Sequence, residues 1–375
     1  MQCSYFDAGR CRSCTLMGRP YGTQLAQKQA HCASVLADFP IDWAEPIASV
    51  ESGFRNKAKM VVGGTVVAPT LGILDRAGHG VDLSGCGLYP PGLTAAFAPL
   101  AELITRAGLV PYDVPGRRGQ LKDVIVTASP DGELMVRFVV RTAEVLGAIR
   151  AQVDWLRERL PRVVVVSVNI HPEHKAVLEG AEEVVLTEQA SLPMAVNGIR
   201  LQLRPRSFFQ TNTAVAAALY REATTWIDDL APATVWDLYC GVGGFALHAA
   251  RPGRTVIGVE TSAEAIASAR RSARDLGLTG VEFRVGDATE FALTSAPPGA
   301  PDLVIVNPPR RGIGPELAGR LETSGVGSVL YSSCRAESLA RDLAAMPSLR
   351  PRRARLLDMF PQTDHYEVLV ELARI

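Results

Sequence analysis

The carboxyl-terminal part of the chain alternates short apolar runs with amphipathic stretches. Residues 233–238 follow Pro232 as an apolar run and end in the turn Cys240-Gly241-Val242-Gly243-Gly244. A helical pattern continues through Phe245, Leu247 and His248 to Ala250. Residues 255–260 read as a second strand, and 263–276 as an amphipathic helix with apolar positions at the helical period. Three more strands are predicted at 281–285, 302–306 and 328–332, with helices over 315–321 and 336–345 between them. Strand and helix alternating at this spacing imply right-handed crossovers and a parallel, doubly wound α/β sheet. Residues 353–359 and 366–373 suit a hairpin at one sheet edge.

The first two hundred residues carry a different pattern. Short β-branched runs at 59–62, 124–127, 134–141, 163–170 and 183–187 dominate, with two helix candidates at 24–36 and 143–159. This predicts an α+β domain with a cysteine-rich amino-terminal lobe and a boundary near residues 201–220. No internal repeat or low-complexity tract interrupts the chain.

Composition changes this picture little. Of 375 residues, 47% are apolar and 21% charged, which is ordinary for a globular protein. No apolar run reaches the roughly 18 residues of a membrane span. The first residues lack the basic-then-apolar pattern of a secretory signal, so a cytoplasmic protein is expected. A formal net charge of zero gives no support to nucleic-acid binding. Positive charge nonetheless clusters at Arg55, Lys57 and Lys59, at Arg117, Arg118 and Lys122, at Arg310 and Arg311, and over 350–355. A solvated face accounts for any one of these clusters.

Candidate chemistry adds more. The glycines at 241, 243 and 244 sit where a strand hands over to a helix, so the backbone can turn tightly and approach a ligand. Glu260 ends the next strand, where a carboxylate can accept from both ribose hydroxyls of an adenosine moiety. NAD enzymes use the same device, so the turn by itself leaves the cofactor open. Asp287 follows the third strand, and Asn307-Pro308-Pro309-Arg310 the fourth, at the edge where ligands bind in such folds. Two prolines hold the Asn307 backbone rigidly, which points to S-adenosylmethionine. Asn-Pro-Pro followed by an aromatic residue marks nitrogen methyltransferases, and Arg310 in that place argues for another target atom.

Cys334 follows the strand 328–332 and precedes a helix, where the helix amino-terminus and Arg335 are expected to lower its pKa. An inert buried cysteine is the competing reading. Glu367 closes the run Asp358-Met359-Phe360-Pro361-Gln362-Thr363-Asp364-His365-Tyr366-Glu367, in which residues 363, 365 and 367 share one side of an extended chain. A nucleophilic thiolate and a carboxylate base are what methylation of C5 of uracil requires, because that carbon is a poor nucleophile until a thiolate adds at C6. Seven cysteines, three of them within the first fourteen residues, do not suit a disulfide framework. Cys3, Cys11, Cys14 and Cys86 are candidates for either a zinc ion or a [4Fe-4S] cluster, which spacing does not separate. Cys32 reads as helix packing, and Cys240 as a loop residue beside the cofactor.

Together these residues resemble the uracil-5 RNA methyltransferase family. The matching pieces are Ser207-Phe208-Phe209-Gln210-Thr211-Asn212, Asp237-Leu238-Tyr239-Cys240-Gly241-Val242-Gly243, Asn307-Pro308-Pro309-Arg310-Arg311-Gly312, Ser332-Ser333-Cys334 and the run from Phe360 to Glu367. Gly53-Phe54-Arg55-Asn56-Lys57-Ala58-Lys59 looks like the family's substrate-side motif. The resemblance implies Cys334 as nucleophile, Glu367 as proton acceptor and cofactor contacts from Gln210, Tyr239, Glu260 and Asn307, to which Gly241, Gly243 and Asp287 add themselves by position. It also implies a [4Fe-4S] cluster on Cys3, Cys11, Cys14 and Cys86. The implied organisation is an iron–sulfur lobe over 1–90, an α+β RNA-substrate domain over 91–205 and a class I, Rossmann-like, seven-stranded methyltransferase domain over 206–375.

Within the family the chain is similar to the branch that modifies 23S rRNA at uracil 747. It begins at the cysteine lobe with no room for a TRAM domain, and it has the cluster cysteines and Asn at 307 where relatives usually carry Asp. Uracil 1939 of 23S rRNA and uracil 54 of tRNA are the alternative targets. A nitrogen methyltransferase and a non-catalytic RNA-binding iron–sulfur protein are the alternatives in kind. RNA contacts are expected from Arg55, Asn56, Lys57, Lys59, Arg117, Arg118, Lys122 and Arg310, with the target base flipped out. A monomer with no obligate protein partner is expected. Two departures from the family pattern, Arg335 after the nucleophile and Gly244 in place of Asn, bear on fine positioning.

Overall fold

The computed structural model describes residues 1–174, 179–294 and 300–375. The chain divides into two compact units, neither continuous in sequence. One comprises Met1–Cys14, Ser52–Ala195 and Arg204–Arg206, the other Thr15–Glu51, Val196–Leu203 and Ser207–Ile375. This differs from the consecutive segments 1–90, 91–205 and 206–375, and the reason is packing. The helix Tyr21–Val35 contributes Cys32, and the following turn contributes Leu36, to the same apolar core as Leu339, Leu343 and Tyr366. Both residues are essentially inaccessible to water.

The second unit is built on an eight-stranded sheet. Its order is Asp42–Trp43, Leu349–Leu357, Glu367–Arg374, Ser328–Ser333, Leu303–Val306, Thr234–Leu238, Thr255–Glu260, Val281–Val285. The five strands from Ser328–Ser333 to Val281–Val285 are mutually parallel. The expected count of seven is corrected by Asp42–Trp43, which pairs in parallel with Arg353 and Ala354. The expected edge hairpin is also corrected. Glu367–Arg374 lies inside the sheet, antiparallel to both Ser328–Ser333 and Leu349–Leu357. Being buried on both faces, it does not alternate: Val368, Leu369 and Val370 follow Glu367, and the charged Glu371 is buried along with them. Strand order reverses between Leu303–Val306 and Thr234–Leu238, which opens a ligand crevice at the carboxyl ends of the strands.

The first unit carries a seven-stranded sheet in the order Gly80–Asp82, Pro69–Leu74, Lys57–Gly64, Leu121–Ala128, Leu134–Val140, Val163–Ile170, Glu182–Val185. Only the pairing of Leu134–Val140 with Val163–Ile170 is parallel, and the helical residues between these strands make the crossover. Ala58, Met60, Val62, Val124, Val126 and Phe138 pack against Phe97, Leu100, Leu103 and Ile104 of the helix Phe97–Arg106. That helix escapes a pattern reading because Pro99 interrupts its apolar run, yet a proline in the first turn removes an N–H that has no partner anyway. The strand Pro69–Leu74 escapes it too, since Gly72 looks like a turn. A Cβ there would sit 2.1 Å from the Val81 carbonyl oxygen, so the glycine is demanded by close strand approach. The helix expected over 143–159 is broken into Ala143–Val145, Leu146–Arg150 and Val153–Arg159.

Among the described residues no helix is long and apolar enough to cross a membrane. Because Leu36 belongs to the core of the second unit, Leu36→Ala is expected to destabilise that unit by about 2–5 kcal/mol. A drop in the urea midpoint of its unfolding, followed by tryptophan fluorescence, checks this.

Candidate active site

Six strand ends meet at the carboxyl edge of the parallel strands. Tyr239 and Gly241 follow Thr234–Leu238, Glu260 ends Thr255–Glu260, and Asp287 follows Val281–Val285. Asn307 follows Leu303–Val306, and Cys334 follows Ser328–Ser333. Glu367 reaches the same edge from the other direction. Its strand is antiparallel, so its first residue lies where the parallel strands finish, with Val368 in register with Ser333. All seven residues line one cavity of about 560 Å3, together with Phe208, Gln210, Thr261, Arg310, Phe360 and His365.

Glu367 is 2% exposed. Its Oε1 accepts from the Ser332 hydroxyl at 2.5 Å and from Asn307 Nδ2 at 2.9 Å. Burial pushes its carboxyl up to about 7, and those two donors work against the rise. The Cys334 thiol is also raised, first by burial and then by the Glu367 charge, while Arg310 lowers it. The expected assistance of Arg335 is therefore corrected. Its Nε turns to Glu337 at 3.3 Å, and the cation that acts on the thiol is Arg310. The Arg310 guanidinium lies 3.2 Å from His365 Nε2. Burial and Arg310 both lower the His365 pKa, leaving a neutral ring that accepts from the guanidinium.

The adjoining half of the cavity has the features of a nucleoside site. Glu260 Oε1 accepts from the Ser262 N–H and the Thr261 hydroxyl, both at 2.9 Å, which holds the carboxylate on the lining. Gly241 has φ +54 and open space where a Cβ would stand. Gly243 does not line the cavity: with φ +89 and a would-be Cβ 2.9 Å from the Phe283 ring, it is held to glycine by packing. Gly244 has the same kind of reason, since a Cβ would lie 2.3 Å from the Tyr220 hydroxyl. Asp237 lies buried, its Oδ2 accepting from the Ala246 N–H at 2.9 Å, and burial lifts it to about 7. Asp287 Oδ1 accepts from the Thr289 and Glu290 N–H groups, so it also holds the start of the helix Ala288–Thr294. Cys240 is buried outside the lining.

Comparison with known proteins places this geometry. A model of the methyltransferase domain matches residues 231–336. A Serratia proteamaculans protein named 23S rRNA (uracil(747)-C(5))-methyltransferase RlmC is 50% identical, with both chains covered completely. The Escherichia coli K12 protein of the same name is 48% identical over the same extent. The chain belongs to the RlmC family. The crystal structure of Pyrococcus abyssi tRNA (uracil-54, C5)-methyltransferase in complex with S-adenosyl-L-homocysteine is similar in fold, with a TM-score of 0.79 at 24% identity over 96% of this chain and 85% of that one. The second unit accordingly has the class I S-adenosylmethionine-dependent methyltransferase fold of the RlmC family.

Ser332, which supports Glu367 from outside the cavity lining, and Phe208 on that lining carried no individual signal in the sequence. Ser332 stands two positions before Cys334, hence on the same side of the strand, and a buried serine in a central strand was the available clue. Phe208, 68% exposed, and His365 sit inside motifs that were legible only as wholes. The RNA candidates are spread out. Arg310 lines the active-site cavity and Arg55 the cysteine cavity. Lys59 and Lys122 line a third cavity with Tyr112, Asp123 and His171. Arg117 and Arg118 are exposed, Asn56 is buried, and burial lowers the Lys57 pKa. Cys3, Cys11, Cys14 and Cys86 line one cavity of about 170 Å3 in the first unit. Among the described residues, no three His, Cys, Asp or Glu side chains are grouped closely enough to hold a metal ion.

The buried carboxyl has a consequence for stability. A folded pKa near 7 against an ordinary 4.5 favours the neutral form. That contribution is complete below about pH 4.5 and lost as pH rises through 7. Glu367→Gln stays neutral throughout, so its Tm should match the wild type near pH 5 and exceed it by about 2–4 °C at pH 8.5. Differential scanning calorimetry at the two pH values measures this.

Proposed function

We propose that the protein methylates C5 of a uracil in 23S rRNA, at the position equivalent to uracil 747, with S-adenosylmethionine as methyl donor. The observation that carries the reading is the presence of Cys334 and Glu367 on one cavity with Asn307-Pro308-Pro309. A nitrogen methyltransferase needs neither a thiol nor a buried carboxylate there. The Cys334 thiolate adds to C6 of the uracil, and the ring electrons move to make C5 an enolate carbon. Glu260 and Asp287 are among the residues that would hold S-adenosylmethionine, which would supply an electrophilic methyl group to that carbon and leave as S-adenosylhomocysteine. Glu367 then takes the C5 proton, the C6–sulfur bond breaks, and the ring and the thiolate are restored. Glu367 suits this task because a base with pKa near 7 is both ionised and basic at neutral pH. Phe208, exposed beside the nucleophile, offers a ring face to a base flipped out of folded RNA. Phosphate contacts are assigned to Arg117, Arg118 and Arg310, which are exposed.

The experiment is a trap. Fluorine at C5 cannot leave as a proton, so 5-fluorouracil-substituted 23S rRNA fragments with S-adenosylmethionine should give a covalent complex on a denaturing gel. Cys334→Ala should abolish that band and lower turnover at least about 10³-fold. A wild type that methylates natural RNA yet never traps the fluorinated form overturns the carbon mechanism.

For the first unit the same reading assigns a [4Fe-4S] cluster to Cys3, Cys11, Cys14 and Cys86. The donor set supports it: all four thiols line one cavity, whose described lining includes no His, Asp or Glu. Burial and the negative charge of Cys86, Cys11 and Cys3 push Cys14 up to about 11, a cost that a cationic metal group would remove. A single zinc ion, with Zn–S near 2.3 Å, would need the sulfurs drawn to a point. Anaerobically purified protein should contain about four iron and four sulfide per chain. One zinc and no iron would refute the assignment.

A further inference from the structure

The helix Tyr21–Val35 buries Gln24, Lys28 and Cys32, a single stripe at four-residue spacing. Two of the three are polar, and Lys28 is only 3% exposed. Burying an ammonium is unfavourable unless its partners are held in good geometry, and apolar side chains would pack there without that requirement. Gln24 also donates to the Arg19 carbonyl at 2.9 Å, but the other partners of the two polar residues concentrate in the segment 358–366.

Lys28 Nζ donates to Asp358 Oδ1 at 2.7 Å and to the Phe360 carbonyl at 3.0 Å. Tyr21 donates its hydroxyl to Asp358 Oδ2 at 2.9 Å. Gln24 makes a reciprocal pair with Gln362, accepting from its backbone N–H and donating to its side-chain oxygen, both at 3.0 Å. Thr15 donates to Asp364 at 3.1 Å, and the Leu16 N–H to the Gln362 carbonyl at 3.0 Å. Gln362 needs this clamp: its φ of +68 is in the left-handed region, which a non-glycine residue adopts only when its surroundings impose it. The clamped segment puts Phe360 and His365 on the active-site cavity and ends at Glu367.

We propose that Gln24 and Lys28 are positioning residues of the active site, holding the segment 358–366 so that Phe360, His365 and Glu367 face the substrate. The inference rests on the assignment of Glu367 as the proton acceptor. Neither residue touches the cavity, so their effect passes through Asp358, the Phe360 carbonyl and Gln362.

The test uses the full-length holoprotein. Lys28→Met combined with Asp358→Leu replaces the buried ion pair by apolar side chains, a change that leaves stability roughly unaltered in other proteins. Thermal midpoint, kcat, the KM for S-adenosylmethionine and covalent complex on unsubstituted 23S rRNA fragments are measured for this variant and for Gln24→Met. The expected result is a thermal midpoint near the wild-type value, a KM within about twofold and a kcat lowered about 10²-fold, the scale on which small misplacements act. Covalent complex should also accumulate on natural RNA, because proton removal is the slowed step. A folded variant with wild-type kcat and no accumulated complex overturns the proposal. If the double variant does not fold, Gln24→Met, which keeps the ion pair, decides by the same two readouts. Failure of the uracil reading is separate and shows in the wild type, as methylation without trapping of fluorinated RNA. A fall in kcat at constant KM then still supports the positioning role, and an unchanged kcat overturns it.

Discussion

Burial of the Glu367 carboxyl at the end of an interior strand is the constraint on which the rest of the site depends. A carboxylate removed from water stays usable only if donors are aimed at it, and Ser332 on the adjacent strand and Asn307 at the end of the strand beyond it provide them. The same burial disfavours a second negative charge nearby, which is why Glu367 raises the Cys334 thiol. The proposed reaction never needs both anions free at once, since the thiolate is consumed in the adduct before the carboxylate takes its proton. Arg310, oriented by neutral His365, supplies the one opposing positive charge that acts on the thiol.

Topology makes this constraint possible. In a purely parallel sheet every strand presents its last residue at the ligand edge, after a run whose side chains are spent on the core. Inserting Glu367–Arg374 antiparallel between two strands delivers a first residue to that edge and leaves the buried Val368, Leu369, Val370 and Leu372 to anchor it. The cost is a connecting segment, 358–366, that must cross the edge of the site with a left-handed residue at Gln362. The amino-terminal insertion Thr15–Glu51 stabilises that segment with buried polar contacts. Its membership of the second unit thus has a chemical meaning as well as a packing one.

What the sequence determined by itself is the order of elements and the candidates for the reacting groups. Strand–helix alternation after Pro232 is legible because a parallel strand is apolar on both faces and its crossover helix on one. Cys334, Glu367 and Asn307 are legible because each sits at a strand end inside a motif, and Glu260 by its strand end alone. What only the tertiary structure decided are quantities that depend on neighbours distant in sequence. Ser332 as a donor to Glu367, Arg310 and not Arg335 beside Cys334, and Gln24 and Lys28 facing the segment 358–366 all join residues 24 to more than 300 positions apart. A charge, a hydrogen bond and a desolvation each fall off within a few ångströms, so they are fixed by which side chains meet in space, and residue spacing along the chain does not specify that meeting.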